Sequence, residues 1–184
     1  MNKFLTLILI VVVACLLGGT YGVFHDEITY SISPEYYTKF KFYQFGLMDM
    51  GNEAIFPNPR LQVAVVGFMA TWWMGISIGI ILGLVGLIHL DWRSMLQITL
   101  SAFLITIAIA FATGLIGLAY GYSFLSDKPR GEFGNWFIPD NLTDFKSFIA
   151  VGSMHNFSYL GGLTGLLGGI AYSVFRKFKP RGEK

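Results

Sequence analysis

Residues 151–175, VGSMHNFSYLGGLTGLLGGIAYSVF, decide the fold. From Asn156 to Phe175 there are twenty residues without a formal charge. A helix rising about 1.5 Å per residue carries such a stretch across the roughly 30 Å of a bilayer core. His155 then sits at one edge of the membrane. Gly161, Gly165 and Gly169 recur every four residues, which leaves one helix face as bare backbone that a second helix can approach closely. An all-α integral membrane bundle with a polar cluster at its rim is the expectation.

The composition agrees. In 184 residues, 54% are hydrophobic and only 13% charged, with a mean hydropathy of +0.58, too apolar for an ordinary soluble domain. The net charge of +2 comes from basic residues spread over loops and a short tail, with no basic stripe interleaved with exposed aromatics, so nucleic acid is excluded as a partner. The lipid bilayer is the expected partner, together with other membrane proteins or further copies of the chain. Cys15 is the single cysteine; an intramolecular disulfide and a CxxC redox pair are both impossible.

Three more apolar runs give four spans in one membrane domain, at about 4–24, 61–90, 95–122 and 145–175. The first follows Lys3 and resembles a signal peptide in layout, with Val12-Val13-Ala14-Cys15 approximating a lipoprotein box; its continuation past Cys15 favours a retained helix. The second carries Gly75, Gly79 and Gly83 in the same four-residue repeat, and the third has Ala110, Gly114, Gly117 and Gly121. The turn Asp91-Trp92-Arg93-Ser94 is too short to leave the interface, so the spans on either side of it are antiparallel neighbours. Tyr120 and Tyr122 read as interfacial anchors.

Residues 25–60 and 123–144 are polar excursions expected to form a small extracytoplasmic cap. In the first, Ile28, Tyr30 and Ile32 alternate with polar residues, the period of a half-buried strand. Ser33-Pro34-Glu35 then reads as a helix start, with Tyr36, Phe40, Tyr43 and Leu47 on one face of an interfacial helix; Lys39-Phe40-Lys41-Phe42 also alternates and leaves a second strand open. In the second excursion, Thr143 or Asp144 should cap the fourth helix.

Orientation follows from Lys and Arg density. The start, the 91–94 turn and the tail (Arg176, Lys177, Lys179, Arg181, Lys184) carry seven of these residues, against five in the much longer loops and one, Lys146, at the start of the fourth span. Both termini are therefore expected in the cytoplasm and the long loops extracytoplasmic: in a bacterium at the plasma membrane, facing the periplasm, and in a eukaryotic cell facing the outside or a lumen. Nine of the eleven acidic residues fall in the outer loops, giving a surface that attracts cations. The order of elements is similar to that of claudin-like tetraspan proteins, without their Trp and paired-Cys signature in the first loop. The likeness is one of layout and implies no activity.

The histidines sort by depth. His89 lies at the inner end of the second span, roughly 30 Å from the other two, and marks an interface turn. His25 and His155 share the outer layer, near Asp26, Glu27, Glu35 and Asn156. Two imidazoles with carboxylates suit a divalent zinc, iron, manganese or copper ion, and the expected ligands are His25, Glu27, Glu35 and His155; a strand at 25–32 would project His25 and Glu27 from one face. The competing reading makes His25-Asp26-Glu27 a solvated turn and His155 a helix-packing residue. Haem is disfavoured, because His25 falls in a turn instead of on a helix face. No HExxH, GxSxG or phosphate-loop motif is present. The alternative to a metal-binding protein is a non-catalytic scaffold or accessory subunit that binds other membrane proteins through its glycine faces.

Overall fold

The computed structural model describes residues 2–49 and 51–179; Arg181 and Lys184 of the basic tail lie outside them. The described residues are helical with no strand. Four helices are long and apolar enough to cross a membrane: α1 (Lys3–Ile32), α4 (Pro59–Gly86), α5 (Trp92–Tyr120, prolonged by a π-helical turn, Gly121–Leu125) and α6 (Phe145–Phe178). Between α1 and α4 the chain forms α2 (Pro34–Tyr36), a π-helical turn (Tyr37–Lys41) and α3 (Phe42–Gln44).

Residues 25–32, whose alternation suggested a strand, instead continue α1. The reason is a longer-range pattern. Thr6, Ile10, Ala14, Gly18, Gly22 and Asp26 stand four apart and are all buried on one face, so the face that packs in the bundle runs straight through His25 and Asp26 to Thr29. The alternating Lys39–Phe42 stretch is likewise helical, and buries Tyr36, Tyr37, Lys39, Lys41 and Phe42, with Leu47 exposed.

The bundle consists of two antiparallel pairs, α1 with α4 and α5 with α6. Small residues set both. A Cβ on Gly18 would come within 2.7 Å of the Gly75 Cα, and one on Gly22 within 2.1 Å of the Gly67 carbonyl oxygen. In the other pair, Gly161 and Gly165 face Ala110 and Thr106 at equally short range. Hydroxyls stitch the contacts: Thr71 Oγ1 donates to the Gly18 carbonyl (2.8 Å), Thr106 Oγ1 to Gly165 (3.0 Å) and Ser153 Oγ to Gly117 (2.7 Å). Without water, such close packing and hydroxyl–carbonyl bonds hold apolar helices together. The glycine repeats are thus used within the chain. The two pairs meet through Ala14, Leu82, Ala102 and Phe103.

One end of the bundle is covered by the α2–α3 segment and the 126–144 loop, whose Tyr36, Tyr37, Phe42 and Phe133 form a core with Val63, Val66, Phe148, Ile149 and Val151. Asp144 Oδ1 caps α6 by accepting from the Ser147 N–H (3.0 Å). Asp91 caps α5 in the same way through Arg93 and Ser94. At the opposite end Lys3 Nζ donates to the Leu87 carbonyl (3.0 Å) and buried His89 hydrogen-bonds Ser173 Oγ (3.0 Å). Burial pulls the His89 imidazole below its ordinary value, helped by Lys177, Lys3 and Arg176.

Candidate functional site

Four ionisable side chains from three elements converge below the covered end: His25 and Asp26 of α1, Lys41 of the π-helical turn, and His155 of α6. All are buried, with 2–7% of their surface exposed. The convergence depends on the turn at Ser33-Pro34. Proline cannot continue the α1 ladder, so the chain doubles back and lays Tyr37 against α1. There Thr29 Oγ1 gives its proton to the His25 or Asp26 carbonyl (3.0 and 3.2 Å) and accepts from the Tyr37 hydroxyl at 2.6 Å. With Tyr37 fixed, the π-helical turn aims Lys41 inward.

Lys41 Nζ donates to Asp26 Oδ2 (2.5 Å) and to His155 Nε2 (3.1 Å). The proton positions on His155 follow from its partners. Its Nδ1 lies 2.9 Å from the Val151 carbonyl, which only accepts, so Nδ1 carries hydrogen and Nε2 presents a lone pair to Lys41. His25 is held by the same logic: Nδ1–H donates to Asp26 Oδ1 (3.3 Å) and Nε2 accepts from Ser158 Oγ (3.0 Å). The two imidazoles meet edge to face, 4.7 Å between centroids, and Tyr36 stacks on His155 at 4.8 Å. Burial pulls the Lys41 ammonium down, opposed by the Asp26 carboxylate. One positive and one negative charge leave the cluster neutral overall.

The structure brings His25 and His155 together and places the two expected glutamates elsewhere. Along a helix Glu27 points away from the His25–Asp26 face and pairs with Arg60 (2.6 Å). Glu35 ties the α2 segment to the start of α6. It contacts Lys39 and accepts from the backbone N–H of Asp144 (2.7 Å) and Thr143 (3.0 Å) and from the Thr143 hydroxyl (2.9 Å). Burial pushes the Glu35 carboxyl up, but these donors outweigh it and hold the group at about 2. His89 stands apart: its partner Ser173 is eighteen residues beyond His155 on α6, about 27 Å along the helix.

Asp26 and Lys41 are the members that sequence reasoning left out. Asp26 was signalled by its place in the four-residue repeat of α1; nothing in the alternating KFKF stretch distinguishes the inward-facing lysine. The reason for setting haem aside also changes. His25 does lie on a helix face, and what stands against a porphyrin between the two rings is their direct edge-to-face contact.

One donor atom from each of His25, Asp26 and His155 lies within 4.8 Å of the others, a group that can hold a metal ion. The same space is reached by Lys41 Nζ, so a metal ion at this point must displace an ammonium group that already satisfies Asp26 and His155. Two openings flank the cluster. Between the helix pairs lies a narrow apolar cleft of about 60 Å³, with the cluster at its head and Met74, Ile78, Phe103 and Ile107 along its walls. On the other side lies a recess lined by Gln44, Asn156, Trp73 and Tyr36. Lys41, His155, Ala70 and Tyr159 border both.

Comparison with protein-family models, with curated proteins and with solved structures finds no match.

Proposed function

We propose that this is an integral membrane protein of four transmembrane helices, with both termini in the cytoplasm, and that the His25–Asp26–Lys41–His155 cluster is a proton-exchanging ligand site at its extracytoplasmic edge. Four antiparallel helices place the basic Lys3, Arg93, Arg176 and Lys177 at one end and the acidic loops at the other, which supports this orientation. Ionisable groups at membrane depth are costly unless paired, and mark sites of binding or proton transfer. The observation that carries the reading is the position of Lys41 and His155, which border the mixed recess and the apolar cleft at once. A purely structural ion pair has no need of two openings.

Acylation takes an amine only after it has lost its proton, and burial pulls the Lys41 ammonium down, so proton exchange is tested at Lys41. Treatment of the detergent-solubilised protein with the N-hydroxysuccinimide ester of acetic acid should acetylate Lys41, as read by peptide mass spectrometry. An untouched Lys41 under conditions that acetylate the exposed Lys128 overturns the reading.

A second reading, divalent metal binding by His25, Asp26 and His155, is favoured by the spacing of the three donor atoms and by the Val151 hydrogen bond, which orients His155 as a ligand imidazole is usually oriented. Zinc, iron, manganese or copper all suit such ligands. Lys41 weighs against it, because the cluster already contains its own cation. The scaffold alternative loses its main support, since the glycine faces pack against helices of the same chain.

A further inference from the structure

We propose that the mixed recess beside the cluster holds the uncharged glycosyl headgroup of a membrane lipid, whose tail leaves between α4 and α6. The inference rests on the site reading above, since the recess begins at Lys41 and His155, and it assigns that site its ligand class. Size, charge and hydrogen-bonding character select the class.

Size comes first. The recess has a volume of about 430 Å³ and shares Tyr36, Phe40, Gln44 and Asn156 with a second hollow of about 460 Å³. Each falls within the roughly 300–1,000 Å³ of small-molecule sites, and together they form one groove with a deep lobe and an outer lobe. The deep lobe is bounded by Met69 and Trp73 of α4 and Tyr159 of α6, which are 51%, 53% and 48% exposed. All three belong to membrane spans, so this lobe faces lipid. The outer lobe ends at Asn135 and Trp136 of the covering loop. A ligand that fills both lobes has one end in the bilayer and the other at the aqueous rim, which favours a lipid headgroup over a free sugar.

Charge is second. Among the described residues, Lys41 is the only formally charged one lining either lobe, and Asp26 already balances it. An ammonium headgroup finds no carboxylate on these walls and a phosphate finds no unspent cation, so a neutral headgroup fits best. Hydrogen bonding is third. Gln44, Asn135 and Asn156 line the groove and are exposed, and none of their side-chain amides bonds to another described residue. Each amide offers a carbonyl acceptor and an NH2 donor. A hydroxyl both donates and accepts, so a ring bearing several hydroxyls uses both halves of these amides. Trp73, Tyr159 and Phe40 supply aromatic surface for the C–H face of such a ring.

The full chain, in lauryldimethylamine oxide, a detergent without sugar, is titrated with monoglucosyl diacylglycerol beside an equimolar amount of phosphatidylcholine, and bound lipid is counted by native mass spectrometry. Saturable binding near one glucolipid per chain is expected, with octyl glucoside competing and diacylglycerol not. Gln44→Leu and Asn156→Leu change exposed amides that hold nothing in the fold. Each should weaken binding by about two- to tenfold, the range for one hydrogen bond, and the double variant by at least about fivefold. No saturable binding, equal uptake of phosphatidylcholine or diacylglycerol, or unchanged binding in the double variant overturns the inference. So does methyl glucoside competing as well as octyl glucoside, which would make the ligand a soluble sugar. Lys41 acetylation separates the two readings: if Lys41 reacts and no glucolipid binds, only the ligand class falls, and if glucolipid binds while Lys41 stays untouched, only proton exchange falls.

Discussion

Asp26 holds the site together, touching Lys41 and both imidazoles. Breaking a buried ion pair by removing one partner strands a charge and costs about 3–5 kcal/mol, whereas removing both costs far less. Asp26→Asn and Lys41→Met should each destabilise the protein by that amount, and the double variant should regain most of it, as measured by thermal or denaturant unfolding in detergent. Additive losses would show that the two side chains do not act as a pair. Placing His25 and His155 in one layer needed only span counting. Asp26 was concealed by its local setting, because His25-Asp26-Glu27 reads as a polar turn until the repeat from Thr6 to Gly22 is extended through it. Lys41 had no such signal: its inward aim comes from the Ser33-Pro34 reversal and the Thr29–Tyr37 contact, both tertiary.

Among the elements, α1 and α6 meet the site from opposite sides, and Glu35 links the segment between α1 and α4 to the start of α6. A carboxyl held at about 2 against an ordinary 4.5 contributes stability that is complete above pH 4.5 and is lost as the pH falls toward 2. The unfolding temperature of the wild type should therefore fall more steeply between pH 4.5 and 3 than that of Glu35→Gln, and parallel curves would remove Glu35 from this role. The helices themselves were legible from apolar length and glycine spacing, which fix both membrane reach and close packing. The strand expected at 25–32 was not, since Ile28, Tyr30 and Ile32 alternate over a window too short to outweigh the four-residue period running through α1. Glu27 followed the strand expectation: a strand would aim it beside His25, and the helix turns it to Arg60, while Glu35, expected to reach in from the helix start, is held by Lys39 and the start of α6.

The molecule as a whole is a glycine-packed bundle, covered at one end, with a charge-balanced cluster between two openings. Orientation is tested on Ile55, which is 91% exposed in the first long loop. In a Cys15→Ser background, Ile55→Cys should react with a membrane-impermeant maleimide added to intact cells, and labelling only after lysis would reverse the topology. The central claim is that the charge of Asp26 is balanced from within the chain by Lys41. Elemental analysis of protein purified from membranes without chelator tests it most directly. The account predicts zinc, iron, manganese and copper all far below one per chain; one equivalent of any of them, lost in His155→Ala, would contradict it.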